Sequence, residues 1–457
     1  MTHDEARIAE LTSRVADGMP RTIDELCSLV RIPGCAFPGF PREEVDRAAA
    51  AVAQILREAG CETVELLDVG PGIPQAVYAE VPGPSGAPTV LLYAHYDIQP
   101  AGNLADWSSP PFEPEVRSGR LYGRGAADDK SGVVLHAALV RAFDGQPPCT
   151  VRIIIEGDEE CGGSFEHFPP AHPALFDADA IIIADTGNMQ VGLPTFTSAL
   201  RGMAMVDVTV ETLAAPVHSG MFGGPAPDAL MALIALLATL RDDQGDTAID
   251  GVPGYQWQGA DYDEQTYREQ AGILVDQPLI GTGSLASRLF TKPAVSVVGI
   301  DAPQVQGAIN AVVPKASARV SLRVPPTTDP KAAQKALMDH LVRNAPWGVT
   351  VTVQPDNTGE GFAADTTEPA YVLMAEAMRL AYGADPIEVG SGGSIPLVAV
   401  LKEVVPDSSV LLVGAEDMDA NIHAPDESVD LGELEHAALA QVLFVQLLAE
   451  RASGASS

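Results

Sequence analysis

The sequence predicts an α/β fold that is interrupted by an inserted α+β domain. In the first 200 residues, apolar strand-like runs alternate with helical patterns, which is typical of a sheet covered by helices. From residue 201 the order becomes strand–helix–strand–strand–helix–strand, which is typical of a split βαβ sandwich. The first pattern then resumes. A chain of 457 residues is too long for one ordinary core. We therefore predict a discontinuous domain (1–200 and 356–457) and an inserted domain (201–355).

Apolar residues recur at helical spacing in the first 59 residues. Residues 4–31 predict two helices with a break near Gly18-Met19-Pro20, because proline removes a backbone donor. Residues 43–59 predict another amphipathic helix, which ends at Gly60. Turn residues then separate the predicted strands of the first domain, which are 62–67, 75–81, 89–95, 151–155 and 181–185, with a helix at 131–144.

The inserted domain has period-two strands and two apolar helices. Its predicted elements are strands 202–210, 294–300, 317–324 and 349–353 and helices 227–241 and 329–344. Residues 242–290 form a long polar stretch with weak signals. Beyond this domain we predict helix 367–382, strand 409–414 and helix 431–451.

Composition excludes several classes of function. Lys and Arg number 27 against 62 Asp and Glu, a net charge of −35, which disfavours binding to nucleic acid and to anionic membranes. The five cysteines form no CxxC pair, which favours reduced thiols and a cytoplasmic setting. The amino terminus has no apolar signal core, and no run approaches about 20 apolar residues, so we predict neither export nor membrane spanning.

A histidine and an aspartate end the predicted strand 89–95. His95 and Asp97 are two residues apart and would point to the same side of an extended chain. Neutral imidazole is a common zinc ligand, and a neighbouring carboxylate can orient it. Taken alone, His95 is better explained as a histidine that simply caps a strand end.

Paired carboxylates strengthen the case for a metal site. Asp128 and Asp129 are adjacent, and burying both is costly without a cation. The alternative is a solvated turn with Lys130 as its counter-ion. In Glu159-Glu160, which follows an apolar strand, one carboxylate could bind metal while the other acts as general base.

Two further candidates complete a mixed ligand set. Asp185 ends a strand, where an acid loses hydration unless it is paired or bound to metal, and His423 lies in a distant loop. Histidine and carboxylate ligands with one bridging carboxylate favour two Zn²⁺ or Mn²⁺ ions. Two such ions would activate a bridging water and polarise a carbonyl. The predicted metal ligands are His95, Asp128, Glu160, Asp185 and His423.

The motifs together resemble the M20 family of metallopeptidases, and within it the cytosolic dipeptidases related to non-specific dipeptidase and carnosinase. The segments that carry the resemblance are YAHYDIQP, LYGRGAADDKSG, EGDEECGG, IIADTGN, VHSGMFGG, the R-V-P segment at 323–325, SGGSIP and HAPDE. The resemblance implies a di-metal aminopeptidase-like catalytic domain, with a central mixed sheet flanked by helices. It also implies that the inserted domain is a ferredoxin-like lid and dimerisation domain.

The resemblance assigns roles at the predicted metal site. His95 and Glu160 would bind different metals, and the Asp128 carboxylate would bridge them. The peptide bond between Asp128 and Asp129 would be cis. Asp97 would orient His95. Glu159 would be the general base that takes a proton from the bridging water and passes it to the leaving amine. The cofactors implied are two divalent ions, Zn²⁺ first, with Mn²⁺ or Co²⁺ as alternatives.

The resemblance also implies substrate contacts outside the metal site. His218 resembles an oxyanion stabiliser that reaches the partner subunit's site, and Arg323 resembles an arginine that grips the substrate's terminal carboxylate. Ser394 in the Gly-rich loop would contact the substrate backbone. Asn310 would supply a polar contact from the partner chain, although the INAVVP pattern departs in spacing from several relatives. We therefore expect a homodimer with composite sites and a small peptide as substrate.

Three functions stay open at this point. Dipeptide hydrolysis leads, and the long stretch 242–290 favours it. Removal of an acyl group from an N-acyl amino acid would use the same metals. A metal-free scaffold of the same fold is disfavoured because all five ligand positions and Glu159 are present.

Overall fold

The structure is a computed structural model that describes residues 5–393 and 395–455. The chain divides into two compact units. The first comprises Met1–Ser198, Ala364–Glu388 and Pro396–Ser457, and the second comprises Ala199–Ala363 and Val389–Ile395. The short second piece of the second unit lies outside the predicted inserted range. It groups there because the Arg201 amide donates to the Ser391 carbonyl and Gly390 packs on Phe290.

In chain order, the helices are α1 (Glu5–Val30), α2 (Arg42–Ala59), α3 (Lys130–Ala142), α4 (Phe168–Ala171), α5 (Pro173–Phe176), α6 (Ser219–Phe222), α7 (Ala229–Ala238), α8 (Glu264–Gln270), α9 (Pro330–Arg343), α10 (Pro369–Tyr382), α11 (Pro396–Val404) and α12 (Leu431–Ala455). Helices α2, α3, α7, α9, α10 and α12 fall in the predicted ranges, whereas α4, α5, α6, α8 and α11 were not predicted.

The strands include several short ones that the sequence pattern does not predict. In chain order they are β1 (Thr63–Leu67), β2 (Ala76–Val81), β3 (Thr89–His95), β4 (Glu115–Arg117), β5 (Arg120–Tyr122), β6 (Thr150–Glu156), β7 (Ala180–Ile183), β8 (Gly187–Asn188), β9 (Thr195–Leu200), β10 (Gly202–Glu211), β11 (Val217–His218), β12 (Ala294–Asp301), β13 (Ala311–Val312), β14 (Lys315–Val324), β15 (Val351–Gly359), β16 (Phe362–Ala363), β17 (Ile387–Ser391), β18 (Ser409–Leu412), β19 (Glu416–Asp417) and β20 (Ser428–Asp430).

A mixed six-stranded sheet forms the centre of the first unit. Its order is β1-β2-β6-β3-β7-β18, and the four strands from β6 to β18 run parallel. Strands β3, β6 and β7 are almost entirely buried. The predicted central mixed sheet is therefore confirmed, and its parallel part places several strand ends along one edge.

The predicted break in the first helix is wrong. Helix α1 runs without interruption from Glu5 to Val30 and contains Pro20 in its interior. Its apolar side is buried along the whole length, from Leu11 to Val30. Burial of that continuous side offsets the loss of one backbone hydrogen bond at the proline.

The last helix is a core element of the first unit. Helix α12 is apolar and long enough to cross a membrane by length and composition alone, although no unbroken apolar run predicted it. However, 67% of its most apolar window is buried, and it packs against α1, α3 and α10. Its apolar character is therefore accounted for by the protein interior.

The second unit is built on a four-stranded antiparallel sheet. The order is β12-β14-β10-β15, and α7 and α9 cover one face. Strand β10 alternates buried and half-buried residues, with Ala204, Val206, Val208 and Val210 in the core beneath the helices. The βαββαβ order that the sequence predicts is confirmed.

Candidate metal centre

Two neighbouring parallel strands place the first pair of predicted ligands together. Strand β3 ends at His95, and Asp185 follows two residues after the adjacent β7. The Nε2 atom of His95 lies 3.8 Å from Oδ1 of Asp185. The imidazole is completely buried. The approach follows from the parallel pairing, because carboxyl ends of parallel strands share one edge of a sheet.

Asp128 lies between two histidines. Its Oδ1 is 2.9 Å from Nε2 of His95, and its Oδ2 is 2.9 Å from Nε2 of His423. Its peptide bond to Asp129 is cis, as the resemblance implies. Because each oxygen faces a different imidazole, this carboxylate has the placement that a bridging ligand requires.

The histidines and acids of the cluster form two separate groups. His95, Glu159 and Asp185 form one group, and Asp128, Glu160 and His423 form another. Within each group, one potential ligand atom per residue lies within 4.8 Å of the others. Glu160 Oε2 is 3.2 Å from His423 Nε2 and also accepts from Gln99. The five predicted ligands therefore lie in one cluster of the first unit.

Asp97 connects the two halves of this cluster. Its Oδ1 is 3.4 Å from Nδ1 of His95. Its two oxygens also accept the backbone N–H groups of Glu159 and Glu160, at 3.3 and 3.2 Å. One buried carboxylate thus orients a histidine and fixes the turn that carries both glutamates.

Asp129 has a structural role. One of its oxygens accepts the amide of His95, and the other accepts the amide of Gly132 in the first turn of α3. A helix N-cap is a favourable position for a carboxylate. Of the two adjacent aspartates, Asp128 faces the imidazoles and Asp129 fixes the backbone around them.

Glu427 holds the loop that carries Asp128, and sequence reasoning missed it. Its Oε1 accepts the amides of Ala127 and Asp128 at 3.0 and 3.1 Å. Its Oε2 accepts the Gly125 amide at 2.9 Å and the Arg124 guanidinium at 2.6 Å. Glu427 lies in the HAPDE segment, so the motif contained the signal, but its partners are about 300 residues away in the sequence.

Glu416 is a second missed residue. It forms a ligand group with Asp128 and Asp185, and its Oε1 is buried without a partner among the described residues. Strand β19 carries it beside β8, where a side chain at Gly187 would collide with the Glu416 backbone. An acidic pair directly after an apolar strand, the pattern of EGDEE, would have indicated it.

The electrostatics of the cluster call for cations. Burial and the nearby Asp185 raise the pKa of Glu159 to about 9. Burial, followed by Asp128 and Asp185, raises the pKa of Glu416 well above its usual range. Hydrogen bonds to Asp128 and Glu160 raise the pKa of His423 to about 10. A bound cation would relieve the repulsion between these crowded carboxylates. The mixed histidine and carboxylate ligands suit Zn²⁺ or Mn²⁺.

The other predicted site residues lie in the second unit, apart from one. His218 is exposed and its Nδ1 accepts the Gly220 amide. Asn310 is exposed just before β13, which pairs with β11, and its carbonyl accepts the Ser219 amide. Arg323 is half-buried on β14. Ser394 lies outside the described residues.

Comparisons with known proteins agree with this architecture. The model of peptidase family M20/M25/M40 matches residues 91–447. The chain is 40% identical over 413 residues to a cysteinylglycine-S-conjugate dipeptidase of Corynebacterium striatum, covering 88% of this chain and 89% of that protein. It is 27% identical over 425 residues to the human Beta-Ala-His dipeptidase, covering 85% and 82%.

Solved structures share the fold. Human carnosine dipeptidase 1 superposes with a TM-score of 0.80 at 24% identity, over 97% of this chain and 99% of that one. The dipeptidase Dug1p of Saccharomyces cerevisiae superposes with a TM-score of 0.79 at 22% identity, over 98% and 99%. Together, the matched residues 91–447 and the 40% identity show that the chain belongs to peptidase family M20/M25/M40.

Proposed function

We propose that this protein hydrolyses the peptide bond of dipeptides at a centre of two divalent metal ions, with cysteinylglycine or its S-conjugates as the first substrates to test. The observation that carries the proposal is the complete His and carboxylate cluster, in a chain 40% identical to a cysteinylglycine-S-conjugate dipeptidase. The comparisons support metal-dependent dipeptide hydrolysis; the individual residue roles are our proposal.

Five residues would hold the ions. His95 and Asp185 would bind one ion, and Glu160 and His423 would bind the other. Asp128 would bind both, which is supported by its 2.9 Å contacts with His95 and His423. When bound, the ions would lower the pKa of a water molecule and polarise the scissile carbonyl. We propose Zn²⁺ first and Mn²⁺ or Co²⁺ as alternatives, because the ligand set is mixed nitrogen and oxygen.

Glu159 would move the proton. Its carboxyl group lies in the cluster beside His95 and Asp185, where a carboxylate is in position to act as a general base. Asp97 accepts its backbone amide and keeps the residue beside His95. Glu159 would take a proton from the attacking water and deliver it to the leaving amine.

A homodimer is also proposed, through the second unit. Strand β12 is an edge of its sheet and exposes Val298 and Ile300, and helix α7 exposes Met231 and Ile234. Exposed apolar residues along a sheet edge and a helix favour association with a second copy. Val298→Lys should shift the sedimentation of a dimer toward that of a monomer.

Substrate binding is assigned to the remaining predicted residues. His218 and Asn310 would contact the substrate from the partner chain, as an oxyanion stabiliser and a polar contact. Arg323 would bind the terminal carboxylate, and Ser394 the substrate backbone. We also propose a cytoplasmic setting, which the five free cysteines support.

The test is hydrolysis by protein that has been stripped of metal and reloaded with Zn²⁺, Mn²⁺ or Co²⁺. We expect turnover of Cys-Gly, an S-substituted Cys-Gly and β-Ala-His, and little turnover of N-acetyl or N-succinyl amino acids. Glu159→Gln is the inactive control, and Glu62→Gln, at an exposed position of the same unit, is the matched benign control. Turnover of acylated amino acids alone would replace the proposal with deacylation.

A further inference from the structure

Arg201 is a buried arginine with unused hydrogen-bond donors. Only 8% of the residue is exposed, and its Nε and Nη1 atoms have no acceptor among the residues that the structure describes. A buried guanidinium without a partner is costly. Its side chain lies against the Gly-rich loop of the second unit, where a side chain at Gly392 would come within 2.7 Å of Nη2.

The register of the sheet places Arg323 beside Arg201. Met203 pairs with Arg323 across β10 and β14, and Arg201 precedes Met203 by two residues. Arg201 immediately precedes β10, so continuing the same alternation would set it diagonal to Arg323, at about 7–8 Å. Burial and then the charge of Arg323 lower the pKa of Arg201 to about 10. Among the described residues, no carboxylate lies close enough to Arg201 or Arg323 to shift the pKa of either guanidinium.

A cavity of about 420 Å³ in the same unit reaches Arg201. Its basic lining residues are Arg201, Arg241, Arg288 and Lys292, and its one acid is Asp246, which is paired with Lys292. Most of the lining comes from the stretch between residues 241 and 294, whose role the sequence left open. In a chain with 62 acidic and 27 basic residues, such a basic cavity indicates an anionic ligand.

Arg241 and Arg288 already donate to backbone carbonyls. Arg241 donates to the carbonyls of Gly245 and Val295, and Arg288 donates to that of Ile280. These contacts use donors that would otherwise be available to a ligand. Arg201 is therefore the lining cation with buried, unused donors among the described residues.

We propose that Arg201 is a further substrate-binding residue, which holds the terminal carboxylate of the peptide together with Arg323. The inference rests on the proposed dipeptidase function and goes beyond it by assigning a second guanidinium to the carboxylate. Two guanidinium groups can share one carboxylate through charge-assisted hydrogen bonds, which are stronger than neutral ones. Gly392 leaves the space in which the Arg201 side chain lies.

The experiment compares a glycine-terminated dipeptide with its C-terminal amide. We would measure kcat and KM for wild type, Arg201→Gln, Arg201→Lys, Arg323→Gln and the double glutamine variant. Arg319→Gln is the control, because Arg319 lies on the same strand β14 but is exposed and paired with Asp207. Arg201→Gln should raise KM for the free acid about 10- to 100-fold and that for the amide less than about threefold.

Two further results separate binding from structure. Arg201→Gln should not lower Tm, because the side chain it removes is buried and unpaired. In the double variant, the rise in free-acid KM should be smaller than the product of the two single effects, because both arginines hold one carboxylate. Arg201→Lys keeps the positive charge but lacks the paired N–H donors of the guanidinium, so it should give an intermediate KM. It replaces Arg201→Gln in the KM comparison if that variant does not fold.

An equal rise in KM for the free acid and for the amide would overturn the inference. A fall in Tm with an unchanged ratio of free-acid KM to amide KM would also overturn it. If wild type hydrolyses no dipeptide, the proposed function fails by itself. Calorimetric titration with glycine and glycinamide then tests Arg201 without turnover. Glycine should bind wild type more tightly than it binds Arg201→Gln, and glycinamide should bind both equally; equal binding of glycine would also overturn the inference.

Discussion

Truncating Glu427 should destabilise the loop that carries Asp128. The Glu427 carboxylate is fully buried and accepts from three backbone amides and from Arg124. Glu427→Ala would leave a buried guanidinium and three amides without that acceptor. Breaking one side of a buried ion pair costs about 3–5 kcal/mol, so we expect the free energy of unfolding to fall by that amount.

The matched substitutions separate charge from shape. Glu427→Gln keeps the shape and can still accept the Ala127 and Asp128 amides, but its NH₂ group would face the donors of Arg124 and Gly125. We expect a loss of about 1.5–3 kcal/mol, the value for hydrogen bonds to charged groups. Glu62→Ala, at an exposed position of the same unit, is the control and should change stability by less than about 0.5 kcal/mol.

The assay is urea denaturation of metal-free protein, so that loss of metal does not contribute. Metal affinity is measured separately by competition with a chelator. It should fall about 10- to 100-fold in Glu427→Ala, because the amide of Asp128 loses its acceptor. If Glu427→Ala cost no more than Glu62→Ala, the proposed role of Glu427 would be wrong.

Three other predictions address catalysis, subunit sharing and pH. Glu159→Gln should lower kcat by at least about 10²-fold with metal content near that of wild type, measured by elemental analysis, and large metal loss would contradict its role as base. His218→Ala should lower turnover without unfolding, and mixing it with His423→Ala should restore some activity if subunits share sites; no rescue would indicate self-contained sites. Burial lowers the pKa of His136 to about 4 from 6.5, so its stabilisation is complete above pH 6.5 and is lost as pH falls toward 4. Over that interval wild type should lose about 3 kcal/mol more than His136→Gln in urea unfolding.

Two of the proposed ligands could be placed from the sequence because regular structure determines their position. His95 and Asp185 follow directly from two apolar strands, and the parallel pairing of β3 with β7 brings their ends together. The βαββαβ pattern of the second unit was predictable for the same reason, since alternating burial along β10 matches the period of its sequence. Residues set by secondary structure alone could therefore be located from the chain.

Residues set by tertiary contacts could not be located in this way. Pro20 is a sound reason to end an isolated helix, but burial of the apolar side of α1 outweighs it. The Arg201 side chain lies against a loop about 190 residues further along the chain, at Gly392. Neither contact has a periodic signal, because each depends on how distant segments pack.

The acids around the centre differ in what they accept, and this difference separates the proposed ligands from the acids that position them. Asp97, Asp129 and Glu427 each accept at least two backbone N–H groups. Such carboxylates are stabilised as anions by fixed dipoles and hold the backbone in place. Asp128, by contrast, directs both oxygens at imidazoles. Glu416 has an oxygen with no donor among the described residues, which groups it with the proposed ligands. A sequence pattern of clustered acids cannot make this distinction, because the deciding property is the number of backbone donors that reach each carboxylate.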